Sequence, residues 1–155
     1  MSMLENRTYD ELVVGDTATT RHTVSERALI LFATVSGDVN PVHLDEEFAA
    51  TTPFKGRIAH GMLSGALISA AIACELPGPG TIYIGQEMSF LRPVRLGDEI
   101  RIELEVLEKL PKNRGRIATR VLNQEGKKVV DGVATVMAPT EKVSIARPQL
   151  PTVNY

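Results

Sequence analysis

The sequence predicts an α+β fold: a curved antiparallel sheet around one long helix of small apolar residues. Three observations predict it. Residues 61–76 are long enough for a helix and apolar on nearly every side, as a helix enclosed by other structure would be. The second half alternates with a period of two: Ile100, Ile102, Leu104 and Val106 point one way, Arg101, Glu103 and Glu105 the other. Short turns at 95–98, 111–115 and 123–126 divide that half into strands, and connections this short join antiparallel neighbours.

Taken in order, residues 17–24 read as an early strand. Ser25 is a helix N-cap followed by Glu26 in the first turn and by Leu29, Phe32, Ala33 and Val35; Ser36-Gly37 ends that helix, because Gly adopts the left-handed terminating conformation. Residues 38–41 carry no period. A short helix is expected over 44–50, broken by Thr51-Thr52-Pro53, with 53–56 as a loop. The long helix starts at Gly61 and stops abruptly at Leu76-Pro77-Gly78-Pro79-Gly80. Strands are expected over 81–90, around 100–106, and over 115–122 and 128–137. The reading is one domain over 1–140, with 141–155, which holds Pro148 and Pro151, as a C-terminal arm.

A chain of 155 residues is long enough to bury a core, and its 43% apolar and 23% charged residues are ordinary for a globular domain. Seventeen Lys and Arg against nineteen Asp and Glu leave a net charge of −2 with no basic block, which argues against nucleic acid or anionic membrane as partner. The lone Cys74 has no disulfide mate and sits in an apolar run, as a buried, inert thiol does. The N-terminus lacks the apolar core of a secretory signal. Residues 58–76 are interrupted by His60, Ser64, Ser69 and Glu75 and do not read as a membrane span. A cytoplasmic protein is expected.

The segment that bears chemistry is Ser36-Gly37-Asp38-Val39-Asn40-Pro41-Val42-His43. Asp38 and His43 are five apart, a spacing that a regular helix would not align; Gly37 and Pro41 argue for a turn, which can bring carboxylate and imidazole to one point. Such a pair can hold a water and exchange protons with it. Gly-Asp-x-Asn-Pro is equally a good turn sequence, with Asp and Asn bonding their own backbone. Spacing alone favours that structural role.

The block from Phe32 to Ala50, together with Arg57-Ile58-Ala59-His60-Gly61-Met62-Leu63 and the run from Gly85 to Val94 followed by Leu96-Gly97-Asp98, resembles the MaoC-like (R)-specific enoyl-CoA hydratases. Three blocks in order make the resemblance specific, and it spans roughly Tyr9 to Ala138. It is nearest to the single-domain type that supplies polyhydroxyalkanoate monomers. The resemblance implies a hot-dog fold, a homodimer with its site near the interface, and a hydro-lyase that adds water to a trans-2-enoyl thioester of coenzyme A. It implies catalytic roles for Asp38 and His43, which share one water, and for Gly61, whose backbone N–H faces the thioester oxygen.

Asn40 matches a position that orients the pair, alongside its turn role. Met62 and Ser64 are candidates for the acyl pocket, with plain core packing an equal alternative. For His60 a role in packing or in supporting the reacting groups from behind is favoured over a catalytic one. Arg92, Arg95, Lys112 and Arg114 are candidates for coenzyme A phosphates, although surface solvation explains each as well. No metal and no separate cofactor are expected, since coenzyme A is part of the substrate. The rival readings are another hot-dog acyl-thioester enzyme, a thioesterase or an acyl-carrier-protein dehydratase, and a non-catalytic acyl-CoA binder.

Overall fold

The computed structural model describes residues 2–154. Five strands, β2 (Thr17–Thr23), β3 (Ile82–Phe90), β4 (Glu99–Leu110), β5 (Arg114–Leu122) and β6 (Lys128–Met137), form an antiparallel sheet in the order β2-β4-β5-β6-β3. The alternation seen in the sequence sets its two faces. Ile100, Ile102, Leu104 and Val106 of β4, Ile117 and Val121 of β5, and Val130, Ala134 and Val136 of β6 form one buried surface. Against it lies the long helix, α4 (Gly61–Cys74), with Ile68 and Ile72 fully enclosed. Register shifts between Val106 and Glu108 and between Tyr83 and Gly85 interrupt the ladders, and bulges of this kind bend and twist a strand.

The turns obey the chemistry that predicts them. Lys112 and Asn113 take positive φ in the β4–β5 turn, and Asn123 Oδ1 accepts from the backbone N–H groups of Glu125 and Lys127 in the β5–β6 turn. Helix α1 (Glu26–Ser36) begins where Ser25 Oγ accepts from Ala28 N at 3.1 Å, and ends at Gly37, which has φ 76°. The single short helix expected over 44–50 is two: α2 (Pro41–Leu44) and α3 (Glu46–Ala50). Asp45 divides them. It sits in extended backbone and its carboxylate caps Phe48 N, which starts a new helix instead of continuing the old one.

Helix α4 is less enclosed than its composition implies. Leu63, Ser64, Ile68, Ala71 and Ile72 are buried, whereas Met62, Ala66, Ser69, Ala70 and Ala73 are exposed. One five-stranded sheet covers one side of a helix, so the other side is left open in a single chain. Strand β3 lies at the sheet edge beside it, with Ile82, Ile84 and Phe90 exposed. Among the described residues, no helix is long and apolar enough to cross a membrane.

The arm expected over 141–155 is packed where it leaves the sheet; its last residue, Tyr155, lies outside the described residues. Its β7 (Ser144–Ala146) pairs with an N-terminal strand that the sequence reading missed, β1 (Met3–Glu5), three residues being too few to display a period. Asn6 joins the two ends of the chain. Its side chain donates to the carbonyls of Pro79 and Glu141 and accepts from Val143 N, all within 3.0 Å, and none of it reaches solvent. Asn6→Ala strips partners from three backbone groups and is expected to lower stability by about 3 kcal/mol. Urea denaturation checks this; an unchanged midpoint would contradict the staple.

Candidate functional site

Helix α2 carries His43 and is built for that purpose from its first residue. Pro41 opens it with the helical φ already set, and Asn40 Oδ1 caps it by accepting from Val42 N. His43 is 8% exposed. Its Nδ1 lies 2.8 Å from the carbonyl oxygen of Ile58. A carbonyl only accepts, so Nδ1 carries a hydrogen, and in the neutral ring Nε2 presents a bare lone pair. That lone pair faces Asp38 Oδ2 at 3.7 Å.

The left-handed turn at Gly37 swings Asp38 out of the α1 direction. Its N–H donates to Ser36 Oγ, and its Oδ1 accepts from Asn40 N at 3.1 Å, which is the local turn bonding expected of Asp. Its Oδ2 remains for His43. The turn bonding thus occupies one oxygen of the carboxylate and leaves the other on the His43 side. The 3.7 Å gap is wider than a hydrogen bond and lets one water bond both groups.

The strip 57–60 surrounds His43. Arg57, 8% exposed, donates Nε to the His43 carbonyl at 2.8 Å and Nη1 to Glu26 Oε1 at 2.9 Å, tying α2 to the start of α1. Ile58 supplies the carbonyl under the imidazole. His60 stacks on His43 with ring centroids 3.8 Å apart, and its Nε2 donates to the Asp38 carbonyl at 3.1 Å. Gly61 follows as the first residue of α4, a helix that opens without a side-chain cap, so its leading N–H groups and positive dipole end face whatever lies before them. A Cβ on Gly61 would stand 3.2 Å from the Phe90 ring, so only glycine fits there without displacing that ring.

His43, His60, Gly61 and Ser64 line a cavity of about 360 Å³, walled otherwise by Arg92 and by apolar residues including Ile58, Phe90 and Val130. Of the residues singled out from sequence, Asp38, Asn40 and Met62 do not line it. Asp38 reaches the site through His43, Asn40 holds the turn, and Met62 is 55% exposed on the open side of α4. Arg92 lines the cavity and Arg95 lies three residues on, each with a guanidinium N–H on a backbone carbonyl. Lys112 and Arg114 sit at the opposite end of the sheet, since Arg114 pairs with Met137, seven residues and roughly 23 Å along β6 from the lining residue Val130. Sequence reasoning missed the roles of Arg57, Ile58 and Phe90. The blocks that contain them were visible; where their groups would land was not.

Asp38, His43 and His60 also offer ligand atoms within 4.8 Å of one another, a donor set that invites a metal. Of the four ring nitrogens, His43 Nδ1 and His60 Nε2 are already engaged by carbonyls, which leaves one nitrogen on each ring.

The fold is the hot-dog arrangement, and the chain belongs to the MaoC-like domain family, which residues 13–134 match. It is 42% identical over 131 residues to the (R)-specific enoyl-CoA hydratase of Rhodospirillum rubrum, covering 84% of this chain and 91% of that protein. It is 40% identical over 134 residues to the 3-hydroxybutyryl-CoA dehydratase of Methylorubrum extorquens, covering 86% and 85%. Among solved structures, R-hydratase PhaJ1 from Pseudomonas aeruginosa matches with a TM-score of 0.96 and 64% identity over 99% of each chain.

The Arg57 clamp is open to direct measurement. Arg57→Met is expected to lower stability by about 2 kcal/mol, the scale of a lost charge-assisted hydrogen bond to a buried carbonyl. A urea midpoint equal to the wild type would show that the clamp carries no weight.

Proposed function

We propose that the protein is an (R)-specific enoyl-CoA hydratase, which adds water reversibly to one face of a trans-2-enoyl-CoA to give the (R)-3-hydroxyacyl-CoA. The observation that carries this reading is the fixed tautomer of His43: a bare Nε2 aimed at the Asp38 carboxylate, beside the uncapped start of α4. Water is a weak nucleophile at neutral pH. Held between Asp38 and His43, it gives a proton to His43 Nε2 as its oxygen bonds to carbon 3. The π electrons move toward the thioester oxygen, which becomes an enolate facing the Gly61 N–H. Such a donor is typically worth about 2.7–4 kcal/mol in the transition state. Carbon 2 then takes a proton from the same face, delivered by the Asp38/His43 pair acting as one coupled unit. Every proton and electron pair is accounted for without a metal or a separate cofactor.

The apolar cavity of about 360 Å³ lies at the small end of ligand sites and suits a short acyl chain. Arg92 at the lining suits a phosphate of coenzyme A. A reaction of this kind joins fatty-acid β-oxidation to polyhydroxyalkanoate synthesis, and a cytoplasmic enzyme is placed to do so. The working form we propose is a homodimer. The exposed edge of β3, with Ile82 and Ile84, and the open small-residue side of α4 are two apolar surfaces that a second copy would cover. Asp38 and Met62, which lie off the cavity of a single chain, would then face an enclosed site.

Crotonyl-CoA tests the activity. Loss of the enoyl-thioester absorbance with formation of (R)-3-hydroxybutyryl-CoA is expected; free coenzyme A would mean a thioesterase, the (S) product a different class of hydratase, and no change a binder. Asp38→Asn and His43→Gln are each expected to lower kcat at least about a hundredfold, the scale of general acid–base catalysis. Near-normal turnover in either variant removes the assigned roles. Analytical ultracentrifugation is expected to give a dimer, and a monomer at micromolar concentration would overturn that part.

A further inference from the structure

We propose that His60 is a positioning residue for the reaction, one ring that holds both members of the catalytic pair. The proposal rests on the roles assigned above to Asp38 and His43. Its Nε2 donates to the backbone carbonyl of Asp38 at 3.1 Å, fixing the turn from which that carboxylate projects. Its face lies on His43, with centroids 3.8 Å apart and planes 26° from parallel, fixing the imidazole whose Nε2 takes the proton. Phe32 backs it from α1, with centroids 4.9 Å apart. The ring is 3% exposed.

A packing role alone does not account for the residue. Because Nε2 carries the hydrogen, Nδ1 is a bare acceptor, and it is buried without a hydrogen-bond partner. Burying an unpartnered acceptor is destabilising, and a phenyl ring would fill the same space and keep the stack without that penalty. What histidine adds at this position over a phenyl ring is an N–H on the Asp38 carbonyl. His60 itself contacts His43 and Asp38 and has no step of its own in the proton transfers.

The test separates the two contacts. His60→Phe keeps the ring and loses the donor; His60→Gln keeps a donor at the position of Nε2 and loses the ring. With crotonyl-CoA, His60→Phe is expected to lower kcat at least ~tenfold, with KM within ~threefold of wild type, since misplacing a reacting group by a fraction of an ångström acts on turnover. Its Tm is expected to equal or exceed that of the wild type. His60→Gln is expected to lose Tm yet turn over faster than His60→Phe. Wild-type kcat in His60→Phe overturns the proposal, as does a loss of kcat that follows Tm across the two variants. Asp38→Asn is measured alongside: if it stays active, the pair's assigned roles fail; if it is inactive while His60→Phe is normal, only the positioning role does.

Discussion

A backbone oxygen determines what His43 can do. The Ile58 carbonyl accepts the hydrogen of Nδ1, and so in the neutral ring the free lone pair is that of Nε2, 3.7 Å from the Asp38 carboxylate. With the opposite tautomer, Nε2 would donate to the carboxylate and have nothing with which to take a proton from water. Much of the surrounding structure keeps that carbonyl in place. Ile58 N donates to the Val42 carbonyl, Ala59 N to the Val94 carbonyl, and Ile58 forms a bridge with Arg95. The strip 57–60 is thus stitched to α2 on one side and to the approach to β4 on the other.

This arrangement joins fold and chemistry. Helix α4 is anchored to the sheet by Ile68 and Ile72, and the same anchoring sets where its first N–H groups point. The strip that leads into it passes beneath His43 on the way. A site assembled from a turn, a four-residue helix, an irregular strip and a helix start is held by backbone hydrogen bonds, which are directional and short, more than by side-chain packing. Arg57 completes it with a nearly buried guanidinium that binds the far end of α2. Preorganisation of this kind is what the proposed action of His43 and Asp38 on a water would draw on.

One chain leaves two apolar surfaces open together, the edge of β3 and the outer side of α4. They explain each other. A helix of small residues allows close approach on both sides, and a sheet of five strands uses only one of them.

The sequence by itself determined the alternation of β4, the caps of α1, the extent of α4 and the turns between the last strands, because each is set by neighbours within a few residues. It also placed Asp38 and His43 in one turn, through Gly37 and Pro41, and the family blocks around them supplied the chemical reading that spacing withheld. Tertiary structure alone decided the rest. Arg57 reads as any surface arginine until α2 and α1 come within its reach. Which residues His60 supports was not legible, because a stack on one residue and a hydrogen bond to another's carbonyl leave no periodic mark. The division of α2 from α3 at Asp45, the pairing of β1 with β7 and the open side of α4 depend on what lies across space. The acceptor that selects the His43 tautomer is a main-chain oxygen, which every residue carries, so no choice of side chain could announce it.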